Sequence, residues 1–340
     1  MKKIDISIII PTWNRSRALI ECISQILSED ILDTNIEIIV CDSHSTDQTN
    51  ENLNNFIIKE KITNVKIVQC EENNVSSKRN IGILSANFDH IILLDDDCLP
   101  TQDYLKSYIE YFKKIDNRTI ICGQYRTCQH LLKKSNYLKY RDSRNYKNET
   151  HLVDLNKTLE YKNIVTGNLG FKKDFILKNK ILFNESIIGY GGEDVDWAWR
   201  LINSGFKIIK SNIKVFHNET SNSISSYSLK YFHYSFGAMP NLIKYNYSAA
   251  SNLPFFFLEN PNDKIIKKFQ LFFIRALLNN FIIKPMIYFV EVTDKYSFCY
   301  ISILYRVIIL RAYIDGIFER KKNTLKQSDT KKDWYSKGYK

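Results

Sequence analysis

Short β-branched runs alternate with helical patterns through the first hundred residues, and this alternation restricts the chain to few architectures. Ile4 to Ile10, Ile36 to Cys41, Val65 to Cys70 and Ile91 to Leu94 read as strands. Helices are predicted between them from about Ser16, from near Ser45-Thr46-Asp47, and over Ser76 to Ala86. Strands and helices in this order predict a parallel α/β sheet. Ligands of such sheets bind beyond the carboxyl ends of the strands, so the polar segments that follow those strands converge on one crevice.

Those segments are chemically coherent. The first strand runs into Pro11-Thr12-Trp13-Asn14-Arg15, the second into Asp42-Ser43-His44-Ser45-Thr46-Asp47, and the fourth into Asp95-Asp96-Asp97 and then Pro100. Side chains alternate along extended backbone, which puts Asp95 and Asp97 on one side and Asp96 on the other. Two carboxylates placed so can share Mg²⁺ or Mn²⁺, which keep positions open for water and the oxygens of a diphosphate; an acidic turn after a buried strand is the plainer alternative. Asp42 is a candidate acceptor for a base N–H, Thr12 and Asn14 for base or ribose, and Lys78-Arg79 for the diphosphate. Ser45 or Thr46 as a helix cap, and Lys78 and Arg79 on a solvated helix face, stay open beside these roles.

Lys+Arg 48 against Asp+Glu 37 gives a net charge of +11, which suits an anionic partner: a nucleotide diphosphate, a membrane surface or nucleic acid. The seven cysteines, Cys22, Cys41, Cys70, Cys98, Cys122, Cys128 and Cys299, contain no CxxC pair and read as reduced thiols of a cytoplasmic protein. The first apolar run is too brief for a signal peptide.

In order and spacing these segments resemble the family 2 inverting glycosyltransferases of GT-A fold: Pro11 to Asn14, Asp42 to Asp47, Arg79-Asn80-Ile81-Gly82 and Leu94-Asp95-Asp96-Asp97. The resemblance covers roughly residues 4 through 217, with Ser43-His44 departing from the Asp-Gly or Asn-Gly common after the first aspartate. It implies a mixed Rossmann-like sheet with helices on both faces, plus a C-terminal helical appendage. It also implies a nucleotide-sugar donor, a UDP-sugar favoured, held by Pro11, Thr12, Asn14, Arg15, Asp42, Lys78, Arg79, Asp95 and Asp96. A Mn²⁺ or Mg²⁺ ion would sit on Asp97 and Asp95. The acceptor would be a saccharide or lipid-linked saccharide of bacterial-type surface polysaccharide or glycan assembly.

Downstream, Gly189-Tyr190-Gly191-Gly192-Glu193-Asp194-Val195-Asp196-Trp197 combines glycines with acidic residues at a helix start, where the dipole favours them. Asp196 and Arg200 form an i,i+4 pair, leaving Glu193 and Asp194 to the loop. The resemblance places the catalytic base there, at Asp194 with Glu193 in reserve. It places the donor-sugar and acceptor cleft at Gly167, Asn168, Gly192 and Trp197. Trp197 and Trp199 fall on opposite sides of the helix, so at most one lines a cleft. His217, closing a strand from Ile213 to Phe216, resembles the late histidine that completes metal coordination in GT-A enzymes.

Residues 124 to 163 lack periodicity and hold Tyr137, Tyr140, Arg141, Arg144 and Tyr146, a candidate acceptor-facing loop. Beyond His217, helices dense in aromatic and basic residues are predicted over Tyr227 to Tyr247, Lys264 to Val290 and Phe298 to Arg320. Arg275, Lys284, Arg306 and Arg311 interrupt every run long enough to span a bilayer, so residues 264–320 are predicted to lie on the inner face of the cell membrane, with a helical appendage or dimer contact as the alternative. The resulting division is 1–217 catalytic (1–100 nucleotide-binding, 101–217 acceptor), 218–322 helical, and 323–340 a basic, disordered tail. A non-catalytic nucleotide or carbohydrate binding module and a sugar nucleotidyltransferase are the rival functions. A nucleic-acid partner is disfavoured by the lack of a recognisable motif. Oligomeric state is left open.

Overall fold

A computed structural model describes residues 3–29, 31, 33–145, 158–217, 223–259 and 266–322; Tyr146 and the basic tail lie outside them. Eight strands form one sheet in the order β3-β2-β1-β4-β7-β6-β8-β5. They are β1 (Ile6–Thr12), β2 (Ile36–Asp42), β3 (Val65–Gln69), β4 (His90–Leu94), β5 (Cys98–Pro100), β6 (Thr119–Arg126), β7 (Asn168–Lys172) and β8 (Lys207–His217). The first four pair in parallel, as their alternation with helices predicts. β7 runs antiparallel to β4 and β6, and β5 runs antiparallel to β8, so the sheet is mixed.

The period-2 alternation of β1 divides the core between the two faces of the sheet. Ile6, Ile8 and Ile10 pack with Leu19 and Ile23 of the helix Ser16–Leu27 and with Tyr104 and Tyr108 of the helix Tyr104–Phe112. Ile9 and Ile39 pack with Ile83 of the helix Val75–Ser85 and with Trp197 and Leu201 of the helix Glu193–Asn203. β1 starts and ends two residues later than its apolar pattern suggests, because polar Thr12 pairs with Asp42 as the last rung of the ladder. Cys22, Cys41 and Cys70 are buried free thiols, the small core residues their neighbourhoods predict.

Asn168 locks the centre of the sheet. Its Oδ1 accepts from the hydroxyls of Tyr104 (3.2 Å) and Tyr108 (2.8 Å), and its Nδ2 donates to the carbonyls of Gln124 (3.2 Å) and Ile213 (3.1 Å). All four hydrogen-bonding positions of the amide are used, so Asn168 is structural and does not line the cleft assigned to it.

The chain divides into two compact units. One takes residues 3–126, 158–185 and 193–217 and holds the whole sheet; the other takes 127–145, 186–192 and the C-terminal helices. In the second unit the helices Asn136–Asn145, Ile224–His233, Asn280–Val292 and Ser302–Lys322 contribute Tyr137, Tyr140, Ile224, Val290, Tyr305 and Ile308 to one core. Tyr140 stacks on Tyr305 at 4.8 Å. Tyr137 and Tyr140 are therefore core residues rather than part of an open loop. Their non-local partners are invisible in a segment read by itself.

Replacing Asn168 with leucine strands two buried hydroxyls and two carbonyls, each worth about 1–3 kcal/mol when unpaired. Urea unfolding is expected to show Asn168→Leu less stable by at least about 3 kcal/mol, whereas the exposed Asn54→Ala changes little.

Candidate active site

In the first unit the segments after β1, β2 and β4 are joined by their own polar groups. The Asn14 N–H donates to Ser45 Oγ (2.8 Å), and Asn14 Oδ1 accepts from the Thr46 N–H (2.6 Å), with Asn14 itself at φ 53°. Thr12 Oγ1 donates to Asp96 Oδ2 at 2.7 Å. Arg15 Nη1 reaches Asp96 Oδ1 at 2.6 Å and Asp97 Oδ2 at 2.8 Å. Pro11 is a buried rung of β1 opposite Cys41.

Asp42 is fully buried. Its carboxylate accepts from the Ser45 N–H (2.9 Å), Asn50 Nδ2 (2.8 Å) and Ser45 Oγ. It shapes its own loop and offers no open oxygen to a base. Ser45 takes part in this loop lattice instead of capping a helix, and the helix that follows begins only at Thr49.

Lys78 and Arg79, expected before a diphosphate, are both buried. Lys78 Nζ donates to the Thr12 carbonyl and to Asn73 Oδ1, each at 2.8 Å, and burial lowers its pKa to about 8. Arg79 bridges two carboxylates, Asp95 Oδ1 at 3.2 Å and Glu193 Oε1 at 3.0 Å. Burial opposes its charge, but those two carboxylates outweigh it and hold the guanidinium protonated.

The three aspartates do not alternate. The strand stops at Leu94, and the Cys98 N–H closes a turn onto the Asp95 carbonyl at 3.2 Å, so the rule for extended backbone no longer applies. Asp96 and Asp97 share Arg15, whereas Asp95 is engaged by Arg79 and by the Tyr125 hydroxyl at 2.7 Å. Asp95 and Asp97 thus have different partners among the protein's own groups. Tyr125, on β6, carried no local sequence signal. Gly167 is the close approach that admits this contact, since a Cβ there would overlap both the Tyr125 hydroxyl and the Asp95 carboxylate.

His217 ends β8 opposite Cys98, which brings its Nε2 to 3.4 Å from Asp97 Oδ2. Among the described residues no three or more His, Cys, Asp and Glu side chains are placed to hold one metal ion. A carboxylate oxygen with an imidazole nitrogen nevertheless suits Mn²⁺ or Mg²⁺, whose other positions go to water and phosphate oxygens. Asp97 and His217 fit that role.

At the helix Glu193–Asn203, Asp196 binds Arg200 Nε at 2.8 Å, the brace its spacing predicts. Trp197 is fully buried, stacked on Phe183 at 4.4 Å, and so lines no cleft. Glu193 is held by Arg79 through one oxygen, while its buried Oε2 has no hydrogen-bond partner. Burial, followed by the charge of Glu193, raises the Asp194 pKa to about 7, although the Val195 N–H donates to its Oδ1 at 2.8 Å. In the second unit, Gly191 (φ 84°) and Gly192 (φ 94°) hold left-handed conformations that other residues adopt only with strain.

Parallel strands ending in a carboxylate turn, an antiparallel β7 beside β4, and an acidic helix start tied back to that turn define a GT-A sugar-transferase fold. The mannosyltransferase PcManGT from Pyrobaculum calidifontis, solved with GDP-Man and Mn²⁺, shares the fold at TM-score 0.56 and 15% identity, over 94% of this chain and 88% of that one. The chain belongs to glycosyl transferase family 2, whose model matches residues 7–178, half of its length. It is 34% identical over 110 residues to the dolichyl N-acetyl-alpha-D-glucosaminyl phosphate 3-beta-D-2,3-diacetamido-2,3-dideoxy-beta-D-glucuronosyltransferase of Methanococcus voltae, covering 32% of this chain and 34% of the relative. Against the chondroitin synthase of Pasteurella multocida it is 27% identical over 251 residues, 64% of this chain and 25% of the relative. The chain therefore spans between a quarter and about a third of the length of these curated relatives.

Gly167→Ala is expected to push Tyr125 off Asp95 and to cost about 1–3 kcal/mol of stability by overpacking. A thermal melt reads that cost, and isothermal titration with nucleoside diphosphates is expected to show weakened binding beside an unchanged control at the exposed Asn54→Ala.

Proposed function

We propose that the chain transfers a sugar from a nucleotide-diphosphate sugar, a UDP-sugar first among candidates, to a hydroxyl of a saccharide or lipid-linked saccharide. Transfer inverts the anomeric centre and serves assembly of bacterial-type surface polysaccharide or glycan. The observation that carries this reading is the Arg79 bridge, which ties the carboxylate turn after β4 to the Glu193-Asp194 helix start and makes them one site. The names of the relatives point the same way: one carries a dolichyl phosphate-linked saccharide in its name and the other is a bacterial polysaccharide synthase.

Asp194 is the base. Its carboxylate takes the proton of the acceptor hydroxyl as that oxygen bonds to the anomeric carbon, and the bond to the diphosphate breaks with its electron pair leaving on the nucleotide. A base with a pKa near the working pH is well matched to this task. Glu193, fixed by Arg79, keeps negative charge beside Asp194. Asp97 and His217 would hold a divalent cation, which supplies positive charge to the departing diphosphate. Arg15 holds Asp96 and Asp97 in place.

Calorimetric titration with UDP, GDP, CDP and dTDP, each with and without Mn²⁺, tests the reading. Mn²⁺-dependent binding of UDP is expected, and binding of none would overturn the transferase assignment. Asp97→Ala is expected to lose the Mn²⁺-dependent part of binding. Asp194→Asn is expected to bind nucleotide as before while transfer falls by about a hundred- to ten-thousandfold.

The pH dependence has a definite sign. Asp194 must be ionised to accept a proton, so kcat is expected to fall about tenfold per pH unit below about 7 and to level off above it. A flat profile from pH 5.5 to 8 excludes Asp194 as the base.

A further inference from the structure

The second unit carries a feature that sugar transfer does not use. In the helix Ile266–Leu277, Leu271 and Ile274 face inward to pack with Leu258, Tyr313, Ile314 and Ile317. In the helix Asn280–Val292, Ile283 and Val290 are buried, with Met286 and Ile287 packed on the tyrosine core. The opposite faces are also apolar. Phe269, Phe272, Phe273 and Leu277 recur at i, i+3, i+4 and i+8, while Phe281, Tyr288, Phe289 and Val292 form the matching stripe on the next helix. Phe269, Phe272, Phe273 and Phe281 are between 63% and 91% exposed. At about 200 Å² per ring they alone leave roughly 600 Å² of apolar surface in water, the upper end of what a monomer tolerates as a single patch.

We propose that these two outward faces seat on an anionic phospholipid bilayer. Charge selects this occupant. Residues 266–322 hold ten Lys and Arg against four Asp and Glu, and Lys284, Lys295, Arg306 and Lys322 are exposed. Lys284 lies at the edge of the apolar stripe of its own helix, one turn from Phe281 and Tyr288. A symmetric pairing of two copies would set this basic rim against itself, whereas acidic headgroups complement it.

The geometry also selects lying over crossing. No single helix among the described residues is long and apolar enough to span a membrane, and the pair Phe269–Leu277 and Asn280–Val292 qualifies only together, bent by 56°. Its inward faces are committed to the unit's own core, so only one side is left for lipid. The protein then sits peripherally on the inner, acidic leaflet of the cell membrane.

Vesicle flotation of the full chain tests this, with phosphatidylcholine vesicles made with and without phosphatidylglycerol. Flotation with the anionic vesicles is expected, falling at least tenfold with phosphatidylcholine alone or in high salt. Phe269→Ser/Phe273→Ser/Phe281→Ser is expected to lose flotation at least tenfold with its melting temperature unchanged. Lys284→Glu/Lys295→Glu, exposed substitutions that carry the test if the triple variant misfolds, are expected to abolish the preference for anionic lipid. Wild-type protein that stays with the buffer, floats equally with both vesicles, or floats as well after the phenylalanine substitutions overturns the proposal. So does sedimentation equilibrium that shows a lipid-free dimer dissolved by the triple variant, since a second copy then covers this face. None of these readouts depends on the transferase reading.

Discussion

The guanidinium of Arg79 is the contact on which the first unit's site depends. It joins Asp95, at the end of β4, to Glu193, at the start of a helix that begins 114 residues further along the chain from Arg79 itself. A buried ion is costly alone, and removing one partner of such a set typically costs about 3–5 kcal/mol. The buried Arg79 guanidinium is therefore tenable only with its carboxylates present. Gly82 lets the helix carrying Arg79 lie directly on Ile9 and Cys41, where any side chain would collide. Phe183 lies under the guanidinium at 5.5 Å and stacks in turn on Trp197. Trp197 thus supports the site from within the core without reaching a ligand.

Adjacent carboxylates in different surroundings divide the chemistry. Glu193 is neutralised by Arg79, while Asp194 has burial and its neighbour's charge pushing toward the protonated form. Such a separation is what the proposed division of roles, fixed charge on Glu193 and proton transfer at Asp194, calls for. The loops after β1 and β2 work differently. Asn14, Asp42, Ser45 and Thr46 satisfy one another and make a rigid wall from short polar side chains.

Local pattern was enough for the parallel strands, for the order of the polar segments that follow them and for the Asp196–Arg200 brace, because period-2 and i,i+4 spacing act within one element. It failed for the aspartate triplet, since alternation holds only while the strand continues and β4 stops one residue before it. Trp197 and Asn168 lie in stretches that resemble cleft segments, yet Asn168 bonds to Tyr104, 64 residues away, and Trp197 shares a core with Ile9, 188 residues away. Tyr125 was illegible for the same reason, its meaning resting on Asp95 across the sheet. Tyr137 and Tyr140 join a core built with helices that begin more than eighty residues later.

The site and the chain as a whole have opposite charge, and this constrains what binds. The protein carries +11, yet its polar crevice gathers Asp42, Asp95, Asp96, Asp97 and Glu193 around Arg15, Lys78 and Arg79. Each of these cations is already committed to groups of the protein itself: Arg15 to two carboxylates, Arg79 to two more, and Lys78 to a carbonyl and an amide. A diphosphate entering there meets more negative than positive charge in a partly desolvated setting, where repulsion is only weakly screened. The cation proposed at Asp97 and His217 would supply the positive charge that this balance lacks. Much of the chain's basic excess lies in residues 266–322, with ten Lys and Arg against four Asp and Glu. It is what the proposed seat on anionic lipid calls for.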